Sequence, residues 1–330
     1  MELSVNVSKK RRDMETHKVE VVKVKLEPHP NADSLSVVRI YGFTCCVRTE
    51  DWKDGDLGAY IQPDSIVDTQ RPEFAFLGEH KRIKVKRLRG VISMGLLVKA
   101  PEGMEEGEDA AEALGVTHYE PPLQSCGTGG EAEPAPRGIF APKYDVESMY
   151  RYAELFHDGE EVVATEKIHG ANARFVYHQE RMWAGSRSEW KAYNASNLWW
   201  SALKQNSWLE QFCGEHPELV VYGEVFGNVQ SLKYGCGSGE YKIAVFDVLR
   251  ETEWVGYDEL RSWDKLQFVP LIYRGKFDLE SLKGMAEGPS TIPGANHTRE
   301  GIVVKPMIER YDMIGRVQLK LVSNSYLEKS

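Results

Sequence analysis

The segment Thr165–Asn172, TEKIHGAN, sets Lys167 at the end of a strand-like run and follows it with Gly170. The glycine permits a tight turn before the next strand-like run begins at Arg174, so a lysine held there presents its amine from a fixed backbone. An amine is nucleophilic only when deprotonated, and the reference lysine pKa is about 10.4. A bound divalent cation or neighbouring cations lower that value by disfavouring the ammonium. Covalent attack on a bound nucleotide is one reading. A surface lysine beside a β-turn fits the octapeptide equally well.

Further segments follow in a fixed order. AGSRS (Ala184–Ser188) places Arg187 at the end of a strand, where a guanidinium grips a phosphate or a nucleic-acid terminus. YGEVFG (Tyr222–Gly227) sets Glu224 between glycines, and YKIAVFDV (Tyr241–Val248) sets Phe246 beside Asp247. REGIVVK (Arg299–Lys305) puts Glu300 and Lys305 at opposite ends of one strand, and VQLKL (Val317–Leu321) supplies Lys320. Singly, each has a plainer reading: Arg187 as a solvated turn residue, Phe246 as core, Glu224 and Glu300 as solvated carboxylates, Lys320 as a strand-edge gatekeeper. Independent coincidence of all of them in this order is far less plausible.

The elements that must position these residues divide at Gln124–Arg137, QSCGTGGEAEPAPR, a stretch without periodicity that reads as a linker. Upstream, short β-branched runs separated by turn residues (21–26, 36–41, 43–47, 58–61, 83–88 and 95–98) indicate a small β-barrel. Downstream, strands are expected at 161–167, 174–177, 219–226, 241–249, 301–305 and 317–321. Helices are expected at 195–212, 258–267 and 278–286, with another capped by Asp145. That order reads as α+β with antiparallel sheets. The expected domains are therefore 1–123, a linker at 124–137, and 138–330.

Across 330 residues, 42% hydrophobic and 28% charged residues describe a globular chain with a substantial core. No run approaches the roughly 20 apolar residues of a membrane span. The basic N-terminal stretch lacks the apolar core of a secretory signal. Five cysteines (Cys45, Cys46, Cys126, Cys213, Cys236) form no Cys-x-x-Cys pair, and the nine histidines show no zinc spacing with them. A reducing, cytoplasmic compartment and no structural zinc are the expectations. A net charge of −9 argues against simple coating of nucleic acid, yet KRIKVKRLR (Lys81–Arg89) holds six basic residues in nine.

TEKIHGAN, YGEVFG, VFDV, EGIVVKP and the lysine strand resemble the ordered motifs of the covalent nucleotidyltransferases: RNA ligases, DNA ligases and mRNA capping enzymes. The Lys-x-His-Gly-x-Asn form is similar to that of nick-sealing phage RNA ligases and the ligases that edit kinetoplastid RNA. The C-terminal SNSYLEK resembles the end of the Naegleria-type RNA ligases. HPNADSL (His29–Leu35) followed by KRLRGVISMGLL (Lys86–Leu97) resembles the OB-fold domain of tRNA-binding proteins. The resemblance implies an N-terminal OB-like barrel followed by an antiparallel-sheet nucleotidyltransferase domain, unrelated to the ATP-grasp ligases.

It also implies an ATP-dependent RNA ligase, joining RNA 3′-OH and 5′-phosphate ends as a monomer in RNA repair, with magnesium or manganese. Lys167 would become lysyl-AMP, the AMP would pass to the RNA 5′-phosphate as AppRNA, and the 3′-OH would then displace it. Phe246 would stack on adenine opposite Val303, and Ile168 would join the ATP site. Glu224 would hold the ribose or the metal's water shell, and Glu300 would act on that shell. Arg187 would contact the 5′-phosphate end or the adenylate, Asn172 the reactive phosphate region, and Lys305 and Lys320 the phosphate charge. His169 stands where many relatives carry Asp, and Gln318 where the last motif often has a first lysine. In the barrel, Lys84, Lys86, Arg87 and Arg89 are the candidate RNA contacts, with a solvated strand face as the alternative. No barrel follows Lys320, which ranks a DNA ligase or GTP-dependent capping enzyme second. An RNA-binding module with an inactive nucleotidyltransferase relic is the third reading.

Overall fold

The computed structural model describes residues 18–119 and 130–329. The basic N-terminal stretch, Cys126 and residues 124–129 of the expected linker lie outside them. The chain divides into two compact units. Of the described residues, the first comprises 18–119 together with 149–153 and 324–329; the second comprises 130–148 and 154–323.

In the first unit, alternation of apolar and polar residues builds the strands. Phe43, Cys45 and Val47 are buried along Phe43–Arg48 while the residues between them are not. That strand pairs antiparallel with Leu35–Ile40, which pairs in turn with Leu26–Pro28. Glu20–Lys23, Leu57–Ile61 and Leu96–Lys99 form a second antiparallel sheet, and Lys86–Leu88 with Val91–Ser93 form a hairpin. Buried Tyr60 donates its hydroxyl to the Met94 carbonyl at 2.8 Å. The expected strand at 21–26 is interrupted at Val24–Lys25, and only Lys86–Leu88 of the expected 83–88 run is strand. The segment 149–152 was not foreseen in this unit. Its Tyr150 carbonyl accepts from Gly42 N at 2.7 Å, so close that a Cβ at Gly42 would lie 2.8 Å from that oxygen.

The second unit holds two large, mainly antiparallel sheets beside the two-stranded ladder Tyr311–Asp312/Gly315–Arg316. The larger runs Ala132–Glu133, Trp190–Lys191, Arg181–Gly185, Ala171–His178, Leu219–Gly227, Tyr241–Arg250, Glu253–Trp254. The smaller runs Glu147–Ser148, Leu319–Val322, Gly301–Pro306, Glu161–Lys167, Leu271–Lys276, with one parallel ladder at its Glu147–Ser148 edge. Helices Leu198–Gln205 and Ser207–Glu215 bury Trp199, Leu203, Leu209 and Phe212 against the larger sheet. The expected single helix is split at Asn206, whose amide donates to the Ala202 and Tyr241 carbonyls.

Three further expectations change. The helix anticipated after Asp145 becomes a strand at Glu147–Ser148, a single turn at Met149–Tyr152 and a 3₁₀ turn. The described end of the expected linker is an edge strand, Ala132–Glu133, on Trp190–Lys191. Leu271–Lys276 is an unanticipated strand whose exposure hides the usual alternation.

Candidate active site

Strand Glu161–Lys167 is paired on both sides, and the ladder to Gly301–Pro306 sets Val163 opposite Lys305, Thr165 opposite Val303 and Lys167 opposite Gly301. Val303 lies opposite Lys320 on the next strand. Because strand side chains alternate with a period of two, Lys167, Val303, Lys305 and Lys320 share one face. The chain then turns through Ile168–Gly170 and enters the larger sheet, where Asn172, Glu224 and Ala244 stand side by side. The turn requires glycine: a Cβ on Gly170 would lie 2.1 Å from the Val225 carbonyl oxygen. Gly301 is equally constrained, with a Cβ 2.0 Å from the Leu321 carbonyl oxygen.

Lys167 Nζ donates to Glu300 Oε1 at 2.5 Å, and His169 Nδ1 lies 3.6 Å from Glu300 Oε2. Burial works against the Glu300 carboxylate, but Lys167 and His169 outweigh it and bring its pKa down to about 2. Glu224 goes the other way. Burial, reinforced by Glu300 and only partly opposed by Lys167, pushes its carboxyl up to about 8. One ammonium thus serves two carboxyl groups, and Glu300 takes most of it.

The turn is braced from behind. His169 N donates to Tyr234 Oη at 2.6 Å, His169 Nε2 is 3.3 Å from Ser231 Oγ, and Gln230 donates to the Gly170 carbonyl. Ile168 is buried with Phe226, Tyr234, Ala244, Val269 and Ile292, and Phe246 packs at the edge of that cluster. Between Tyr222–Asp247 and Gly223–Val245 the ladder skips Phe246, a bulge that re-aims the ring. Tyr144 packs on it with ring centroids 4.5 Å apart.

Beside Phe246, Asp247 Oδ2 accepts from Tyr144 Oη at 2.8 Å, Lys305 Nζ at 2.9 Å and Arg316 Nη1 at 2.6 Å. Burial disfavours the Asp247 carboxylate, yet Arg316 and Lys305 overcome it and hold its pKa below the usual range. Arg316 also pairs with Glu309 at 2.5 Å and lies over the Trp254 ring.

Two family models match this chain, an RNA ligase model over residues 160–322 and an OB-fold domain model over residues 18–100. Residues 160–322 thus carry the RNA ligase family signature. Among solved structures, an apo variant of a Naegleria gruberi RNA ligase is 23% identical with a TM-score of 0.80, covering 96% of this chain and 99% of that one. A Naegleria gruberi RNA ligase variant with ATP and Mn is 24% identical with a TM-score of 0.79, covering 95% and 99%. The same ligase with PPi is 24% identical with a TM-score of 0.78, covering 95% and 98%. These likenesses establish the shared fold. No curated protein is significantly similar in sequence.

Within the ligase-family region, the expected residues fall into two groups. Lys167, Ile168, His169, Asn172, Glu224 and Glu300 gather about one turn, and Val303 and Lys320 share the face that carries Lys167. Lys305 is buried on Asp247. Arg187 lies beyond the strand, which ends at Gly185, and its Nη1 is 3.6 Å from Asp145 Oδ1 with both side chains about half exposed. Gln318 donates to the Asp145 carbonyl at 3.0 Å. Gln230, Ser231, Tyr234, Tyr144 and Arg316 escaped sequence reasoning. The one local signal for a shaped loop is the glycine content of 227–239, which bears on Gln230, Ser231 and Tyr234.

In the barrel unit, Lys84, Lys86, Arg87 and Arg89 are exposed while Ile83 and Val85 are buried between them. Arg87 Nη2 is 2.8 Å from Glu328. No disulfide forms among the described cysteines, no described helix is long and apolar enough to cross a membrane, and no cluster of three metal-binding side chains occurs among the described residues.

Proposed function

We propose that the protein is an ATP-dependent RNA ligase that joins RNA 3′-OH and 5′-phosphate ends through lysyl-AMP and AppRNA and serves RNA repair. The observation that carries this reading is Lys167 Nζ, held at a strand end beside Glu300 and on the same face as Val303 and Lys320. Lys167 Nζ attacks the α-phosphorus of ATP; the N–P bond forms as the bond to the bridging oxygen breaks and pyrophosphate leaves. The ammonium must first give up its proton to solvent water. Glu300, held at about 2, is too weak a base for that and instead orients the amine. The AMP then passes to an RNA 5′-phosphate with release of the Lys167 amine, and an RNA 3′-OH displaces AMP to form the phosphodiester.

Phe246, re-aimed by its bulge and backed by Tyr144, supplies the adenine-stacking face, with Val303 opposite and Ile168 beneath. Arg187 and Lys320 meet phosphate charge, and Lys305 acts from below with its charge shared by Asp247. Glu224, Glu300 and the buried, unpartnered Asn172 Oδ1 form an all-oxygen donor set suited to magnesium or manganese and its water shell. Such an ion shields phosphate charge and lowers the barrier to an anionic electrophile. Residues 1–123 bind RNA, with Lys84, Lys86, Arg87 and Arg89 on its phosphates, and residues 138–330 perform the chemistry.

The test is incubation with α-labelled ATP and manganese, followed by denaturing electrophoresis. Label should join the wild-type chain and be absent from Lys167→Ala. Labelling of the alanine variant, or equal labelling by GTP, would overturn the assignment. Sealing of a nick with RNA on the 3′-OH side should exceed sealing of an all-DNA nick.

A further inference from the structure

The hairpin Lys86–Leu88/Val91–Ser93 turns through Arg89 and Gly90, whose φ angles are +45° and +92°. Two successive positive φ values make a two-residue turn that follows the twist of its strands. They also place Arg89 in a region that L side chains adopt only at a cost. Something must hold it there.

What holds it is a segment far away in sequence, HPN at 29–31. His29 Nε2 lies 3.1 Å from the Leu88 carbonyl oxygen, and Asn31 Nδ2 donates to the Arg89 carbonyl at 2.9 Å. Asn31 N donates to His29 Nδ1 at 3.1 Å, so Nδ1 is the acceptor and Nε2 carries the hydrogen toward Leu88. The third carbonyl of the turn, that of Gly90, accepts from Arg87 Nη1 at 3.2 Å. Gly90 leaves room for this closure, since a Cβ there would lie 3.2 Å from Asn31 Nδ2.

His29 is buried, but Asn31, Lys86, Arg87 and Arg89 are exposed. The clamp therefore orders a surface turn bearing three basic side chains, and neither hydrophobic cluster of the barrel contains any of these residues. We propose that His29 and Asn31 are positioning residues for RNA: by closing on the Leu88 and Arg89 carbonyls they fix the turn that presents Lys86 and Arg89 to backbone phosphates. This rests on the reading of the basic hairpin as an RNA contact. Pre-ordering the turn removes an entropy loss that a floppy basic loop would incur on binding.

The experiment measures binding of a labelled single-stranded RNA by the full chain at several salt concentrations, for Arg89→Gln, Asn31→Ala and the double variant. Arg89→Gln should weaken binding and flatten the dependence of log K on log salt by roughly 0.7, the value for one phosphate contact on a single strand. Asn31→Ala, at an exposed site, should leave the thermal midpoint within about 2 °C of wild type. It should nevertheless raise Kd about three- to tenfold, the weight of one lost hydrogen bond. The double variant should be weaker than Arg89→Gln by less than that factor, because part of the clamp's effect on binding acts through that side chain. A purely structural Asn31 would not couple to the Arg89 side chain. Wild-type RNA binding by Asn31→Ala, or losses that multiply in the double variant, would overturn the clamp while leaving the basic hairpin as an RNA contact. Wild-type binding by both Arg89→Gln and Lys86→Gln would instead overturn that underlying reading.

Discussion

Replacing Asp247 by asparagine keeps the side-chain volume and removes the charge on which Tyr144, Lys305 and Arg316 converge. Arg316 retains Glu309 at 2.5 Å, so the cation left without compensation is Lys305, which is 4% exposed. Breaking a buried pair from one side costs about 3–5 kcal/mol. The asparagine oxygen still accepts one hydrogen bond, which offsets about 1 kcal/mol. The expected loss is therefore about 2–4 kcal/mol. Adding Lys305→Met removes the orphaned charge, so the double variant should be more stable than Asp247→Asn alone, by about 1–3 kcal/mol. Urea unfolding followed by tryptophan fluorescence reads this, since Trp254 lies against both Tyr144 and Arg316. The pH dependence has a definite sign. The fold favours the ionised form, so this group stabilises the wild type fully above about pH 5. That contribution is lost as pH falls below the unfolded value of about 3.9 and through the lower native one, closing the gap to the variant. A loss below about 1 kcal/mol at pH 7, or a double variant as unstable as the sum of the singles, would refute the charged cluster.

Glu224 titrates with the opposite sign. Its carboxyl keeps its proton to about pH 8 in the fold, whereas the unfolded chain releases it near 4.3, so without divalent ions stability should fall as pH rises between those values. Glu224→Gln should lessen that fall in thermal scans, and manganese should raise the wild-type midpoint at pH 8 more than the variant's; equal curves would contradict the assigned burial. Gly170→Ala forces a Cβ to within 2.1 Å of a backbone oxygen, so the turn must move and self-adenylylation should drop by about a hundredfold, given what a 1 Å misplacement does to catalysis. Unchanged labelling by Gly170→Ala would show that the turn tolerates displacement.

Much of this molecule was legible one residue at a time. The run Glu161–Lys167 was read with its observed bounds, because a strand's period and a following glycine turn are local properties. The same holds for Leu219–Gly227 and Tyr241–Arg250 to within a residue, and for the helix at Leu279–Ala286, capped by Asp278. Motif order alone brings Lys167, Glu224, Glu300 and Phe246 into one hypothesis. Other features depended on the tertiary structure. Asp247 meets Tyr144, Lys305 and Arg316 across sequence separations of 103, 58 and 69 residues, which only strand order and register can close. The fold likewise gives Lys305, read from sequence as a phosphate contact, a buried partner in Asp247 that the sequence does not reveal, and the bulge at Phe246 leaves no local mark. Periodicity decides which way a side chain faces, whereas its partner is chosen by elements distant in the chain. Lys167 at the end of its strand was therefore readable from sequence, while the grip of Glu300, and of the Tyr234 loop on the turn behind it, belongs to the fold.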